Sequence, residues 1–325
     1  MNLKRLIKPF SNSAEFGAFF AVIVLSIILT IAKSQFLTVQ NLISIARDFS
    51  FIAIAATGAC LVMITGGIDL SVGSVMGLAG VMATFLCSRG FGTIAALLGA
   101  ILVGVFVGLI NGFLITKAKL APFIVTLGML SICRGFVYVV TGGWPMQGFT
   151  KPLLFLGQGF FLGVPMPVWI MVLLLISIQL ILRYTTFGWY VYSIGGNEEA
   201  TRLSGVAVDS VKIRVYVLAG VLASIGGVLL TARLGIGVTT IGSGYELNVI
   251  AALVLGGVRL GGGSGSAISA FFGAALMGIL RNGLVLLAVS LFWQQVVIGS
   301  VIILAVLIDQ VRVKYSAKNW KLSYK

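Results

Sequence analysis

Two kinds of residue in this chain are placed to do chemistry: a polar run between apolar stretches, and a few ionisable or amide side chains within those stretches. The run is Gly195-Gly196-Asn197-Glu198-Glu199-Ala200-Thr201-Arg202-Leu203-Ser204-Gly205. Asn197 is a good helix N-cap, Glu198 and Glu199 complement the positive start of a helix, and Gly205 is a good stop. A helix this short is not stable in water by itself. It needs a surface to dock on, and a cytoplasmic partner would supply one; the plainer reading is an ordinary capped loop helix. Asp69, Ser71, Glu246 and Asn248 are the candidates for a translocation path or gate. A charge at membrane depth is costly and is often functional. Asp69 or Ser71 would equally serve as the cap of the helix that follows, and Glu246 as the acid favoured at a helix start. Arg134 and Arg281 fall inside apolar segments and must face protein or water, with Asp69 and Glu246 as candidate partners.

No catalytic constellation accompanies these residues. The chain has no His, no GxxxxGK[ST] phosphate loop, no HExxH and no GxSxG element. Cys60, Cys87 and Cys133 all lie in apolar stretches, so neither a disulfide framework nor a Cys/His metal site is expected. No cofactor is implied. Moving a solute is a better expectation than transforming one.

Composition sets the elements that must position these groups. Charged residues make up 9% of the 325, hydrophobic residues 59%, and the mean hydropathy is +1.13. A soluble domain carries about 25% charged residues. Eight acids and twenty-two bases cannot cover a surface of this size, so lipid must cover much of it. The net charge of +14 does not point to nucleic acid, because most bases sit at the ends of apolar segments.

Ten candidate spans follow: 16–33, 49–65, 71–88, 92–116, 121–141, 164–183, 212–233, 246–258, 265–289 and 293–311. The eighth is short enough to be a broken or half-length helix. With a cytoplasmic N-terminus, fifteen Lys/Arg (among them Lys4, Arg5, Lys8, Lys117, Lys212 and Lys325) face the cytoplasm and five face out (Lys33, Arg47, Arg89, Lys151 and Arg233). This asymmetry favours cytoplasmic termini. The first span follows Lys4, Arg5 and Lys8 without a small-x-small cleavage site and is expected to be retained. The predicted fold is an all-α integral membrane protein with a single domain over 1–325. Its longest cytoplasmic loop is 184–211 and its longest outer loop is 142–163. Trp144, Trp169 and Trp189 read as interface anchors.

A weak repeat links two joints between spans. Gly66-Gly67-Ile68-Asp69-Leu70-Ser71-Val72-Gly73-Ser74 matches Gly256-Gly257-Val258-Arg259-Leu260-Gly261-Gly262-Gly263-Ser264 at five of nine positions. Glycine-broken joints in corresponding halves are a feature of transporter repeats; coincidence in a chain with 42 Gly is the alternative. The spacing Gly104-x3-Gly108-x3-Gly112 lays small residues along one helix face, for packing within the subunit or against a second copy. Gly273, Gly278 and Gly283 keep no single face.

The polar run resembles the coupling-loop motif of ribose-type ATP-binding-cassette permeases. Three other stretches agree, in family order: Ile64 to Ser74, Pro122-Phe123-Ile124-Val125-Thr126-Leu127, and Gly244-Tyr245-Glu246-Leu247 through Gly256-Gly257. The resemblance covers roughly Phe36 to Asp309. It implies a ten-helix permease of a bacterial plasma (inner) membrane importer for a monosaccharide, ribose-like pentose or small hexose. The implied partners are ABC ATPase subunits, a periplasmic or lipid-tethered sugar-binding protein, and a second permease copy or a related permease. It also implies that Asn197, Glu198, Glu199, Ala200, Arg202, Leu203, Ser204 and Gly205 form the ATPase-coupling helix. Trp144-Pro145 and Arg259-Leu260-Gly261-Gly262-Gly263 depart from the pattern of ribose-specific members. The alternatives are an ion-coupled secondary transporter, which usually carries more mid-membrane acids or His, and a membrane scaffold, which would leave the capped helix unexplained.

Overall fold

A computed structural model describes residues 14–322 of the chain, with side chains over 15–307. Lys4, Arg5, Lys8 and Lys325 lie outside the described residues. Helices account for most of it, in the order α1 (Ala14–Ala32), α2 (Val39–Ile64), α3 (Val72–Ser88), α4 (Thr93–Thr116), α5 (Pro122–Thr141) and α6 (Lys151–Gln158). A two-stranded hairpin follows, β1 (Phe160–Phe161) and β2 (Val164–Pro165), then α7 (Met166–Tyr184), α8 (Thr186–Gly196) and α9 (Glu198–Leu203). The last four helices are α10 (Val208–Leu234), α11 (Tyr245–Leu255), α12 (Ala267–Leu286) and α13 (Leu291–Leu322). Seven are long and apolar enough to cross a membrane: α1, α2, α4, α5, α7, α10 and α12. Shorter apolar helices fill the places of the third, eighth and tenth expected spans: α3, α11 and Leu291–Leu307 of α13. The chain is an all-α membrane protein.

The expected start of the second span is corrected. The second helix begins at Val39, ten residues before the expected 49, because Thr38 caps it by accepting from the Asn41 N–H. Arg47 and Asp48 lower the hydropathy there without breaking the helix. The connection expected over 184–211 holds the helix expected at Asn197 (α9) and a further one, α8, and that expected over 142–163 holds α6 and the first strand of the hairpin. Met146 pairs across to Gly237, which ties that segment to the far end of α10.

Helices α2 and α10 form the centre. Every residue from Phe49 to Ile64 is buried, on all sides of α2, as expected of a helix apolar all round. Around α10 lie α2, α3 and α4; α12 packs on α1, α2 and α11, and α5 leans on α3 and α4. Lipid gives no hydrophobic drive for helices to associate, so close backbone approach must supply much of the attraction. The stripe on α4 does this within the subunit. A Cβ on Gly104 would strike the Gly220 carbonyl, one on Gly108 the Tyr216 carbonyl, and one on Gly112 the Ile213 Cα at 2.8 Å. All three neighbours are on α10. Gly273, Gly278 and Gly283 meet Ala252, Phe49 and Leu29, on three different helices.

On α5, by contrast, Gly128 and Gly135 face open space. Gly108→Leu is expected to overpack the α4–α10 contact, at a cost of about 1–3 kcal/mol or more, and to lower the melting temperature in detergent. Gly135→Ala should leave it unchanged or raise it slightly, since Gly costs a helix interior roughly 0.5–1 kcal/mol relative to Ala. Thermal unfolding of the two purified variants checks the contrast.

Candidate functional site

The polar run folds as its capping residues require. Asn197 is extended (φ −159°, ψ 104°) and its side chain accepts from the Ala200 N–H at 2.9 Å. Gly205, at φ +85°, turns the chain away after α9. Within the subunit, ion pairs hold this short helix. Arg202 meets the Asp209 carboxylate at 2.9 Å and Glu198 at 3.5 Å; Lys212 meets Glu198 at 3.0 Å; and Lys117, at the end of α4, meets Asp209 at 2.9 Å. The bonded Asp209 carboxylate raises Arg202 above its usual value. Glu198 is therefore an anchor toward α10, whereas Glu199 points to solvent. Ala200, Ser204 and Gly205 are also exposed, and Leu203 is 84% exposed, an apolar tip with no cover. Beside the helix, a cavity of about 380 Å³ opens between α9, the start of α10 and the α4–α5 turn, lined in part by Lys119, Glu198 and Lys212.

Asp69 and Ser71 lie in the first glycine joint, between α2 and α3, and both are buried. One carboxylate oxygen of Asp69 accepts from the Ser71 N–H at 2.8 Å and from the Ser71 hydroxyl at 2.6 Å. Ser71 occupies the N-cap position of α3 without making a side-chain cap bond, so Asp69 secures that helix start from two residues before it. Asn111 of α4 donates to the Ser71 hydroxyl at 3.1 Å, and the Thr126 hydroxyl of α5 lies 3.1 Å from the Ile68 carbonyl. The joint is thereby tied to two helices. The buried Tyr216 hydroxyl of α10 packs against Gly67 and has no hydrogen-bond partner among the described residues.

Glu246 and Asn248 lie on α11, the half-length helix. Asn248 is buried and donates to the Gly244 carbonyl at 3.1 Å. Glu246 accepts from the Gly244 N–H at 3.2 Å, and its other oxygen, which abuts Gly73 in the first turn of α3, has no partner among the described residues. Arg134 does not pair with an acid: it donates to the carbonyls of Thr239 at 3.2 Å and Ile241 at 2.8 Å. Among the described residues no ion pair includes Arg134 or Arg281. The expected pairing with Asp69 or Glu246 is thus corrected, because the loop before α11 offers bare carbonyls that a guanidinium satisfies directly.

Sequence reasoning did not single out Asn111, Tyr192, Tyr216 or the Glu15–Ser266 contact, in which the Ser266 hydroxyl at the α12 N-cap donates to the Glu15 carboxylate. Asn111 carried a signal, as an amide within an apolar span; the others depend on long-range packing.

The geometry leaves an anchored polar helix, α9, and buried polar joints within the bundle. The family described as branched-chain amino acid transport system / permease component matches residues 41–306. The chain belongs to that family. Ribose import permease protein RbsC of Escherichia coli (strain K12) is 43% identical over 293 residues, 89% of this chain and 91% of the relative. Its namesake in Bacillus subtilis (strain 168) is 41% identical over 298 residues, 91% of this chain and 92% of the relative. The L-arabinose ABC transporter permease protein AraH of Azospirillum brasilense is 34% identical, with 91% and 87% covered. No solved structure matches the chain.

Within this permease family member, Asp69 is expected to act through the hydrogen bonds of its joint. Asp69→Asn keeps an acceptor for the Ser71 N–H and should retain thermal stability, complex assembly and uptake. Asp69→Ala strands buried donors and should lower stability by about 1–3 kcal/mol. Melting temperature and uptake measured on the same preparations separate the two. Lost uptake in an intact Asp69→Asn complex would instead assign the charge to the path.

Proposed function

We propose that this chain is the membrane-spanning permease of an ATP-driven importer for a monosaccharide, a ribose-like pentose or small hexose, in the bacterial inner membrane. Family membership and the relatives named for ribose and arabinose transport support the sugar class. The observation that carries the coupling role is α9, which ion pairs hold against α10 while Leu203 is left 84% exposed. A leucine so exposed at the tip of a capped helix fits an apolar groove on a partner. That partner is the ATPase subunit, which hydrolyses ATP; this chain does no chemistry. A sugar-binding protein delivers solute at the opposite face, and a second permease, identical or related, completes the path.

In this reading the chain is one permease domain with ten crossings and with α9 and both termini cytoplasmic. Helix α11, eleven residues long, rises only about 17 Å, roughly half the hydrocarbon core. The second glycine joint completes its crossing. ATP binding moves the ATPase pair, α9 follows, and the bundle exchanges outward- and inward-facing states whose affinities for sugar differ. Asp69, Ser71, Glu246 and Asn248 support the joints that must shift in that exchange.

Two outcomes are expected. A reporter fused after Lys325 should read out as cytoplasmic; an external readout would overturn the topology. Leu203→Glu should insert normally yet lose at least about tenfold in both co-purified ATPase and D-ribose uptake, as a hot-spot contact does. Full ATPase retention in that variant would count against docking through α9.

A further inference from the structure

The two glycine joints touch one another, and α8 touches both at the same place. The second joint, 256–266, is tied to the end of α2, immediately before the first joint, 65–71: the Gly263 N–H donates to the carbonyl of Ile64, the last residue of α2, at 2.8 Å. The approach is close: a Cβ on Gly262 would fall 3.0 Å from the Gly66 Cα. Gly195, in the last turn of α8, sits over this contact. A Cβ there would overlap both ends of the bond, the Ile64 oxygen and the Gly263 nitrogen. Three residues earlier, and so on the same helix face, Tyr192 donates its hydroxyl to the Gly265 carbonyl at 2.7 Å.

Helix α8 leads directly into α9. Only Asn197 separates them, and it is bonded both ways: its N–H donates to the Ser193 carbonyl, and its carbonyl accepts from the Thr201 N–H, each at 3.0 Å. A displacement of α9 therefore reaches the touching joints within two residues. It arrives through backbone contacts that have no flexible side chain to absorb it.

We infer that Gly195 and Tyr192 are positioning residues that pass the movement of α9 to both joints at once, so that α3 and α12, the helices that start after them, shift together. The inference rests on α9 as the docking helix. It gives the glycine pair before Asn197 a purpose distinct from docking: the absence of a side chain at 195 is what lets α8 reach the joint-to-joint bond. Packed elements with two arrangements turn small shifts of this kind into larger ones.

The test uses the permease purified with its ATPase and binding protein and reconstituted in vesicles, with D-ribose as the probe sugar. Retained ATPase, ATP hydrolysed and sugar taken up are measured on the same vesicles. Tyr192→Phe removes one hydrogen bond and no volume; Gly195→Ala wedges a methyl group into the contact. Both are expected to retain the ATPase and to hydrolyse ATP within about twofold of wild type. Sugar moved per ATP should fall about threefold in Tyr192→Phe and about tenfold or more in Gly195→Ala, the range seen for residues that modulate coupling without touching a ligand. A purely structural role would lower hydrolysis and uptake in parallel and would overturn the inference, as would a wild-type ratio in either assembled variant. Should Gly195→Ala fail to assemble, Tyr192→Phe decides alone. The Leu203→Glu variant keeps the two readings apart: ATPase retained there removes the docking role, whereas a wild-type ratio with bound ATPase removes only the transmission.

Discussion

A helix broken at membrane depth exposes backbone N–H and C=O groups that lipid cannot satisfy, so such a break survives only inside protein. That constraint organises this molecule. The chain breaks between α2 and α3 and again between α11 and α12, and each break is enclosed. The first receives Asp69, Ser71, Asn111 and Thr126 as local partners. The second is bonded to Ile64, the last residue of α2, and to Tyr192. Enclosure explains why α2 and α10 are buried on nearly every side, while outer helices such as α5 and α7 are left uncovered by the rest of the chain along much of their length.

Enclosure in turn requires close packing, and glycine makes that possible. With no hydrophobic drive between helices in lipid, contact distance decides how much dispersion attraction is gained. The α4 stripe brings backbone against backbone along α10. The joints do the same over a few residues, with Gly66, Gly262 and Gly263 at positive φ, where a side chain would be strained. A chain with this many glycines is therefore not loosely built; many of its glycines mark places where another segment would occupy the Cβ position.

What was legible in the sequence was local. Asn197 and Gly205 delimit α9 because capping depends on neighbours within one turn. The α4 stripe was legible because its four-residue rhythm defines a face, and the short α11 because its apolar run is short. Arg47-Asp48 misled by hydropathy: Asp48 is exposed and Arg47 is half-buried with its guanidinium over the Phe160 ring, so neither interrupts a helix whose cap lies at Thr38. The Arg134 partners were illegible because backbone carbonyls leave no trace in a side-chain pattern. The repeat marked two joints, but nothing in it told that the copies touch or that Gly195 rests on both. Those contacts join residues far apart in sequence, and only the packing of α2 and α8 brings them together.

Helix α9 is held toward α10 and toward α8 by interactions of different stiffness, and this bears on where a push on it would go. The pairs from α9 to Asp209 and Lys212 are made by Arg202 and Glu198, whose side chains are 52% and 43% exposed. Partly exposed pairs of this kind hold a helix only weakly, and their long side chains can follow a moving helix without breaking. The Gly195 contact is backbone on backbone, and a backbone cannot rotate aside as a lysine can. A displacement entering at Leu203 would therefore be absorbed on the α10 side and delivered on the α8 side. If α9 docks as proposed, the charges would keep it in place and presented to its partner, and the glycine contact would give its movement a direction, toward the point where the two breaks in the bundle meet.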